Sequence, residues 1–242
     1  IGHSEAQWFV RGVPNVKKAF AKVWETNDLL TSFDGVSLWR PWNIDPSWKT
    51  QSGQAWFHID QHPISKPGKQ CIQGLINLLP TSKEIGGNVV IPKSHNFFKD
   101  IPYEYKERVE RLPLDIDHFR FPHDDPKLSS EPAVMAHMEP GDMLLWDSRT
   151  IHCSSSGSSL PEGTNDLIRA ASLICMMPKE LSSKEILEKR IHAAENLVST
   201  TNWTNDFRNA DEFPIILEAE NRDQYKWPKK PNLSDYQKKL IA

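Results

Sequence analysis

Two histidines and one aspartate in this 242-residue chain have the types and the spacing of a metal site. His58 and Asp60 are separated by one residue, so on a β-strand both side chains project from the same face. They lie in the segment 54–60, whose aromatic and β-branched residues predict a strand. If His152 arrives from a second strand, two imidazoles and one carboxylate occupy one face of a metal ion. This arrangement leaves positions open for a co-substrate and O₂, as in non-haem Fe(II) oxygenases.

A second His-x-Asp sequence, at His123 and Asp125, is the alternative source of a ligand pair. It lies among Pro122, Pro126 and neighbouring serines, a composition that is typical of a solvated turn. A turn does not place alternate side chains on a common face as a strand does. We therefore predict that the first pair, and not this one, binds the metal.

Three further sequence blocks lie between the His-x-Asp pair and the distal histidine. Residues 74–79 read Gly-Leu-Ile-Asn-Leu-Leu, residues 86–95 end in Pro-Lys-Ser-His, and residues 141–147 place Gly-Asp before a hydrophobic strand. Each block alone is a weak signal, but their order is specific. Together with His152 they make the chain resemble the phytanoyl-CoA dioxygenase (PhyH-like) family of Fe(II)/2-oxoglutarate oxygenases, over roughly residues 30 to 175.

The resemblance implies a mainly β fold with flanking α-helices, namely a double-stranded β-helix (jelly roll, cupin-like). It also implies that His58, Asp60 and His152 hold Fe(II) as the catalytic centre, with 2-oxoglutarate as co-substrate and O₂ as oxidant. In the family an arginine on the strand after the distal histidine binds the far carboxylate of 2-oxoglutarate. The candidate here is Arg169, at a longer spacing that the Ser-, Gly- and Pro-rich loop 154–163 would absorb.

A cation is required at this place because a buried dicarboxylate without a charged partner is costly to desolvate. Arg40 and Arg149 are the alternatives to Arg169, although a surface position is the more ordinary interpretation of both. Ser154 shares the face of His152 by the period of two and could hydrogen-bond the same carboxylate. The family carries a polar residue at that place.

Two residues of the segment 70–79 are further candidates for binding the co-substrate. Gln73 falls where many relatives carry an aromatic residue that lines the iron pocket, which changes the expected pocket shape. Asn77 shares its face of the predicted strand. For both residues the alternative is a strand polar group that a neighbour satisfies. Trp56 and His62 have the parity of His58 and could rim the site, although His62 precedes a proline and more naturally begins a loop.

The carboxylate of Asp60 bears on the reaction. Related halogenases carry a small residue in its place so that chloride can bind the metal. Hydroxylation, desaturation or oxidative cyclisation of a small organic metabolite, with release of succinate and CO₂, therefore ranks above halogenation. An amino-acid-like or secondary metabolite is the predicted substrate, and an acyl thioester is the competing idea, because loops rather than the fold select the substrate.

Two functions from other classes remain open. A cupin-like metal-binding protein or an inactive relative would use the same three ligands without turnover, but it would have no reason to bury Arg169 beside the metal. A structural β-sandwich without metal predicts that His58, Asp60 and His152 are dispersed in space.

Composition limits the partners. The net charge is −3 with both signs interspersed, so neither nucleic acid nor an anionic membrane is a predicted partner. No run is long enough to span a bilayer, and the oligomeric state is left open. Three widely spaced cysteines, Cys71, Cys153 and Cys175, are predicted to be reduced thiols of a cytoplasmic protein.

We predict one domain over residues 1–242, in three parts: a helical buttress at about 1–30, a β-helix core at about 31–178 and a C-terminal helix and wrapping tail at about 179–242. The core contains a lid-like insert at about 97–130, whose His118, Arg120 and His123 are predicted to be solvated surface residues that could meet substrate.

Individual elements follow from local patterns. Apolar spacing predicts helices at 16–27 and 182–199, the second capped by Ser182 with Glu185. A further helix is predicted at 103–111, and the segment 30–39 carries the turn signal Asp34-Gly35. Strands are predicted at 54–60, 70–79, 87–91, 133–138, 143–147, 150–154 and 166–175. The tail carries the aromatic residues Trp203, Phe207, Phe213 and Trp227.

Overall fold

The computed structural model describes residues 1–49, 56–205 and 229–242. The chain divides into two compact units. The first comprises residues 1–36, 73–75 and 172–242, and the second comprises residues 37–72 and 76–171. The predicted organisation as one domain stays a prediction.

Eleven strands carry the fold of the described residues: β1 (Leu29–Thr31), β2 (Val36–Trp39), β3 (His58–Asp60), β4 (Ile72–Asn77), β5 (Gly86–Val90), β6 (His118–Arg120), β7 (Val134–Met135), β8 (Met143–Asp147), β9 (His152–Ser156), β10 (Arg169–Leu173) and β11 (Met176–Pro178). Most coincide with predicted strands: β8 has the predicted bounds, β5 and β9 are shifted by one or two residues, and β3, β4, β7 and β10 are shorter than predicted. Within the predicted strand at 54–60, Gln54 and Ala55 lie outside the described residues.

Nine of these strands form two sheets. One has the strand order β6-β3-β9-β5-β7 and the other the order β2-β10-β4-β8. Successive strands from β2 to β10 alternate between the two sheets, with one exception. The strands β5, β6 and β7 all belong to the five-stranded sheet, where β6 is added at the edge. This double winding is the jelly-roll order of the double-stranded β-helix. The predicted fold class is therefore confirmed.

The pairing of β5 with β9 is fixed by glycines. Gly86 has φ +99°, and a Cβ atom on it would lie 2.2 Å from the carbonyl oxygen of Ser155. A Cβ atom on Gly157 would lie 1.5 Å from the carbonyl oxygen of Glu84. Only glycine permits so close an approach of the two backbones. The resulting register aligns Val90 with His152.

The segment 97–130 is packed into the core of the second unit. It contains α3 (Ile101–Glu104), α4 (Lys106–Glu110) and β6. Its buried apolar side chains belong to the same cluster as those of β3, β5 and β9: Phe98, Ile101, Val109, Phe119 and Phe121. The segment predicted to be lid-like therefore also supplies an edge strand and part of the core.

The first unit contains the remaining helices and a two-stranded sheet of β1 and β11. Its helices are α1 (Glu5–Arg11), α2 (Pro14–Trp24), α5 (Lys184–Asn196) and α6 (Asp235–Lys238). In α5 the buried Arg190 donates hydrogen bonds to the carbonyl oxygens of Thr31, Thr204, Leu240 and Ile241, at 2.7, 2.9, 3.2 and 2.8 Å. These bonds join four segments of the unit through one side chain.

The predicted cap of the helix α5 was wrong by one residue. Ser183, and not Ser182, is the N-cap, and its hydroxyl accepts a hydrogen bond from the backbone N–H of Ile186 at 3.2 Å. The capping pattern that starts at Ser182 is displaced because residues 179–181 form a separate 3₁₀ turn. The Oγ atom of Ser182 is buried and has no hydrogen-bond partner among the described residues.

The corrected cap gives a stability prediction. Ser183→Ala is expected to lower the free energy of unfolding by about 1 kcal/mol, because it leaves a helix N–H unsatisfied. The matched variant Ser182→Ala removes no hydrogen bond among the described residues and should leave the stability unchanged or raise it. Urea unfolding of both variants measures the difference, and a larger loss in the Ser182 variant would contradict the assignment.

The other predictions about the chain as a whole have mixed outcomes. Cys71, Cys153 and Cys175 are buried and take part in no disulfide. Trp203 is buried, whereas Phe207, Phe213 and Trp227 lie outside the described residues. Among the helices that the structure describes, none has the length and apolarity needed to cross a membrane.

Candidate metal centre

The three predicted ligands meet on neighbouring strands of the five-stranded sheet. β3 and β9 are antiparallel, and their register pairs His58 directly with His152. Asp60 follows on the same face of β3 after the buried Ile59, which points into the apolar core. The alternation of the sequence thus sends polar side chains to one side of the sheet and apolar ones to the other.

The donor atoms of the three side chains converge. The Nε2 atom of His58 lies 3.4 Å from Oδ1 of Asp60, and Nε2 of His152 lies 3.3 Å from Oδ2 of the same carboxylate. One ligand atom from each of the three residues lies within 4.8 Å of the others. Two imidazole nitrogens and a carboxylate oxygen at such separations form a donor set that suits a divalent iron ion.

Both imidazoles are oriented by backbone carbonyl groups. Nδ1 of His58 lies 3.0 Å from the carbonyl oxygen of Trp56, and Nδ1 of His152 lies 2.8 Å from that of Thr150. A carbonyl oxygen only accepts hydrogen bonds, so each Nδ1 carries a proton. Each Nε2 atom is therefore the nitrogen that is available to a metal, in the orientation that metal-binding histidines use.

The carboxyl group of Asp60 is held in its ionised form. Burial alone would raise its pKa, but hydrogen bonds from His118, His152 and His58 outweigh burial and hold the pKa well below its usual range. The ionised carboxylate is the form of Asp60 that can bind a metal ion.

Aromatic rings enclose the two ligand histidines. Trp56 stacks on His58 with ring centroids 4.6 Å apart, and its Nε1 donates to the carbonyl oxygen of Ser154 at 3.1 Å. The ring of Trp146 lies 5.4 Å from that of His152. Trp56 thus takes the predicted place at the rim. His62 does not, because its Nδ1 accepts the backbone N–H groups of the loop that follows β3.

Arg169 is a buried cation with unused donors. It begins β10, it is 2 % exposed, and its guanidinium lies 4.5 Å from the ring centroid of Trp39. Its Nε and Nη1 atoms have no hydrogen-bond partner among the described residues. Burial lowers its pKa to about 10, which leaves the group charged at neutral pH. An arginine in this state is suited to accept an anionic ligand.

The two alternative arginines are differently placed. Arg149 forms a two-pronged ion pair with Asp147, with N–O distances of 2.8 and 2.6 Å, which raises its pKa. Arg40 is exposed and lies 4.0 Å from the ring centroid of Trp48. Arg40 therefore fits the surface interpretation, whereas Arg149 is partly buried and already paired with a carboxylate. Among the three, Arg169 is the one that combines burial with free N–H groups.

The other co-substrate candidates stay predictions. Ser154 is aligned with Asn88 across the β5–β9 pair, on the face of His152. Asn77 is fully buried; its Nδ2 donates to Oγ1 of Thr81 at 3.4 Å, and its Oδ1 has no partner in the described part of the chain. Gln73 is buried on β4 and belongs to the first unit.

Sequence reasoning missed the position of His118. On β6 it is aligned with Asp60, and its Nδ1 lies 3.4 Å from Oδ1 of that residue. Its neighbour Arg120 is aligned with His58 and is exposed. The available signal was the alternation of two polar residues around the apolar Phe119, which is typical of an edge strand. His123, in contrast, is exposed in a turn, as predicted for the second His-x-Asp sequence.

A family model described as phytanoyl-CoA dioxygenase (PhyH) matches residues 38–160. The chain belongs to the phytanoyl-CoA dioxygenase family. The matched range contains the three ligands and excludes Arg169. Membership confirms the resemblance.

Two curated proteins are similar in sequence to this member of the phytanoyl-CoA dioxygenase family. Ava biosynthesis cluster protein O of Aspergillus versicolor is 33 % identical over 209 residues, which cover 83 % of this chain and 63 % of that protein. A protein of Dictyostelium discoideum is 22 % identical over 225 residues, covering 80 % and 60 %. The chain thus spans about three fifths of the length of these curated relatives.

Among solved structures, one match is the non-haem α-ketoglutarate-dependent epimerase SnoN from nogalamycin biosynthesis. It has a TM-score of 0.42 and 15 % sequence identity, over 69 % of this chain and 54 % of that one.

Proposed function

We propose that this chain is a Fe(II)- and 2-oxoglutarate-dependent dioxygenase that oxidises a C–H bond of a small organic metabolite. The observation that carries the proposal is the pre-oriented set of His58, Asp60 and His152. The buried Arg169 adds a cation with free donors, which a protein that only stored metal would not need. This favours an enzyme over a metal-binding relative without turnover.

The donor set fits the iron that the family implies. Two neutral imidazoles and one carboxylate would occupy one face of the ion, and the remaining positions would stay open to other ligands. Iron with bound 2-oxoglutarate and O₂ supplies the oxidant for the C–H bond, one oxygen atom entering succinate as CO₂ leaves. The chain's own residues orient these components and exclude water.

Each surrounding residue has a role in that scheme. Arg169 would pair with the distal carboxylate of 2-oxoglutarate through two parallel N–H groups. Ser154 and Asn77 would offer polar contacts to the same co-substrate. The rings of Trp56 and Trp146, which lie against the ligand histidines, would shield the site from bulk water.

A groove of about 770 Å³ is lined by the loop after β3, the segment 95–103 and Arg149, and none of the three metal ligands is among its lining residues. The groove therefore carries no argument about the substrate. The proposed substrate is an amino-acid-like or secondary metabolite. The relative named for a biosynthesis cluster supports the second of these classes.

The test is an anaerobic titration of metal-free protein with Fe(II) and then with 2-oxoglutarate. We expect a visible charge-transfer band when the keto acid chelates the bound iron, and succinate when O₂ is admitted. Pyruvate is the control, since it carries the chelating keto acid without the distal carboxylate and should bind much more weakly. Iron binding without any band would instead indicate a metal-binding protein without turnover.

A further inference from the structure

We propose that His118 is a positioning residue that restrains Asp60 to bind the metal through one carboxylate oxygen. The inference rests on the proposed function and adds a residue from outside the ligand set. Its basis is the place of β6, which adds to the edge of the sheet directly beside β3.

The carboxylate oxygens of Asp60 have different neighbours. Oδ2 faces Nε2 of His152 at 3.3 Å, whereas Oδ1 lies 3.4 Å from Nδ1 of His118 and 3.4 Å from Nε2 of His58. A hydrogen bond from Nδ1–H of His118 would occupy a lone pair of Oδ1. We assign Oδ2, the oxygen that faces His152, to the metal.

The backbone around His118 fixes its direction. Phe119 is 3 % exposed and belongs to the apolar core of the second unit, which anchors the strand. Arg108 donates a hydrogen bond to the carbonyl oxygen of Arg120 at 2.7 Å. The ring of His118 also lies 4.4 Å from that of His58 and 6.4 Å from that of Trp56. The imidazole is therefore held beside the carboxylate although 47 % of the side chain is exposed.

The restraint matters because of the number of coordination positions. A metal with six positions that binds two imidazoles and one carboxylate oxygen keeps three positions open. Chelation by a 2-oxo acid needs two of these and O₂ needs one. If both oxygens of Asp60 bound the metal, only two positions would remain and the co-substrates would compete. A hydrogen bond from His118 to Oδ1 opposes binding of the metal by both oxygens of Asp60.

Two variants distinguish the effect of the His118 N–H group from the effect of its ring. His118→Leu removes the donor, whereas His118→Asn places an amide N–H near the position of Nδ1. Co(II) titration of the metal-free proteins measures metal affinity, and an anaerobic Fe(II) titration with 2-oxoglutarate measures the charge-transfer band. We expect His118→Leu to weaken metal binding by roughly tenfold to a hundredfold and to shift the band. His118→Asn should restore both to near the wild-type values.

The matched control is His123→Leu, an exposed histidine of the same insert, which should behave as wild type. Wild-type affinity and band in His118→Leu would overturn the proposal. So would equal defects in the leucine and asparagine variants, since the ring and not its N–H group would then be responsible. Failure of the proposed function is distinct, because the wild-type protein itself would then bind metal and show no band with 2-oxoglutarate.

Discussion

Asp60→Ala is expected to abolish specific Fe(II) binding, with a loss of affinity on the order of a hundredfold or more. The substitution removes the anionic donor and leaves two imidazoles whose ring centroids lie 4.4 Å apart. Two neutral nitrogens cannot balance the charge of the ion. Anaerobic equilibrium dialysis with Fe(II) measures the loss, and circular dichroism establishes that the variant is folded.

The control for this prediction is the second His-x-Asp sequence. His123→Ala should leave metal affinity unchanged, because His123 is exposed in a turn away from the three ligands. A variant of His123 that lost the metal while Asp60→Ala retained it would show that the wrong pair had been assigned.

Arg169→Met is expected to weaken 2-oxoglutarate binding by roughly a hundredfold to a thousandfold, since truncating a buried charge pair costs about 3–5 kcal/mol. Fe(II) affinity should be retained. The variant is also expected to make the ligand-free protein more stable. The wild-type guanidinium is buried, and its Nε and Nη1 atoms have no hydrogen-bond partner within residues 1–49, 56–205 and 229–242, so methionine relieves a cost on the order of a few kcal/mol.

The sign of that stability change follows from the pKa. Burial lowers the pKa of Arg169 from 12.5 to about 10, so the folded protein holds this proton less tightly than the unfolded chain. The cost is therefore at its full size at neutral pH and diminishes as the pH rises above 10. Thermal unfolding of the ligand-free proteins at pH 7 should give a higher Tm for Arg169→Met than for the wild type. Addition of 2-oxoglutarate should raise the Tm of the iron-loaded wild type but not that of the iron-loaded variant.

Arg40→Ala and Arg149→Ala are the matched controls. Neither should change the affinity for 2-oxoglutarate, because one arginine is exposed and the other is paired with Asp147. If Arg169→Met kept the wild-type affinity, the carboxylate partner would have to be sought in these two residues.

The sequence predicted the elements whose signals are local. Alternation on β3 and β9 indicated that His58, Asp60 and His152 could share a face, and the motif order indicated the jelly roll. The β5–β9 register, which aligns Val90 with His152, depends on backbone contacts at Gly86 and Gly157. Such contacts join residues distant in the chain, so periodicity cannot reveal them.

The same limit applies to His118. Its proximity to Asp60 depends on an edge strand of three residues within a segment whose charged composition favours a solvated loop. Phe119 is buried in the apolar core, and this tertiary packing stabilises the strand and outweighs the local composition. The predicted cap at Ser182 was wrong for a related reason, because a preceding 3₁₀ turn displaced the helix start.

The carbonyl bonds to Nδ1 of His58 and His152 have a consequence for metal identity. They hold both nitrogens in place before any ion arrives, so the ligands need no refolding to accept one. A ready set of this kind binds Co(II), Ni(II), Cu(II) and Zn(II) more tightly than Fe(II), following the Irving–Williams order. Selection of iron must then come from the metal supply of the cell. Protein purified in air should carry a mixture of foreign ions, and anaerobic stripping and reloading should restore a uniform population.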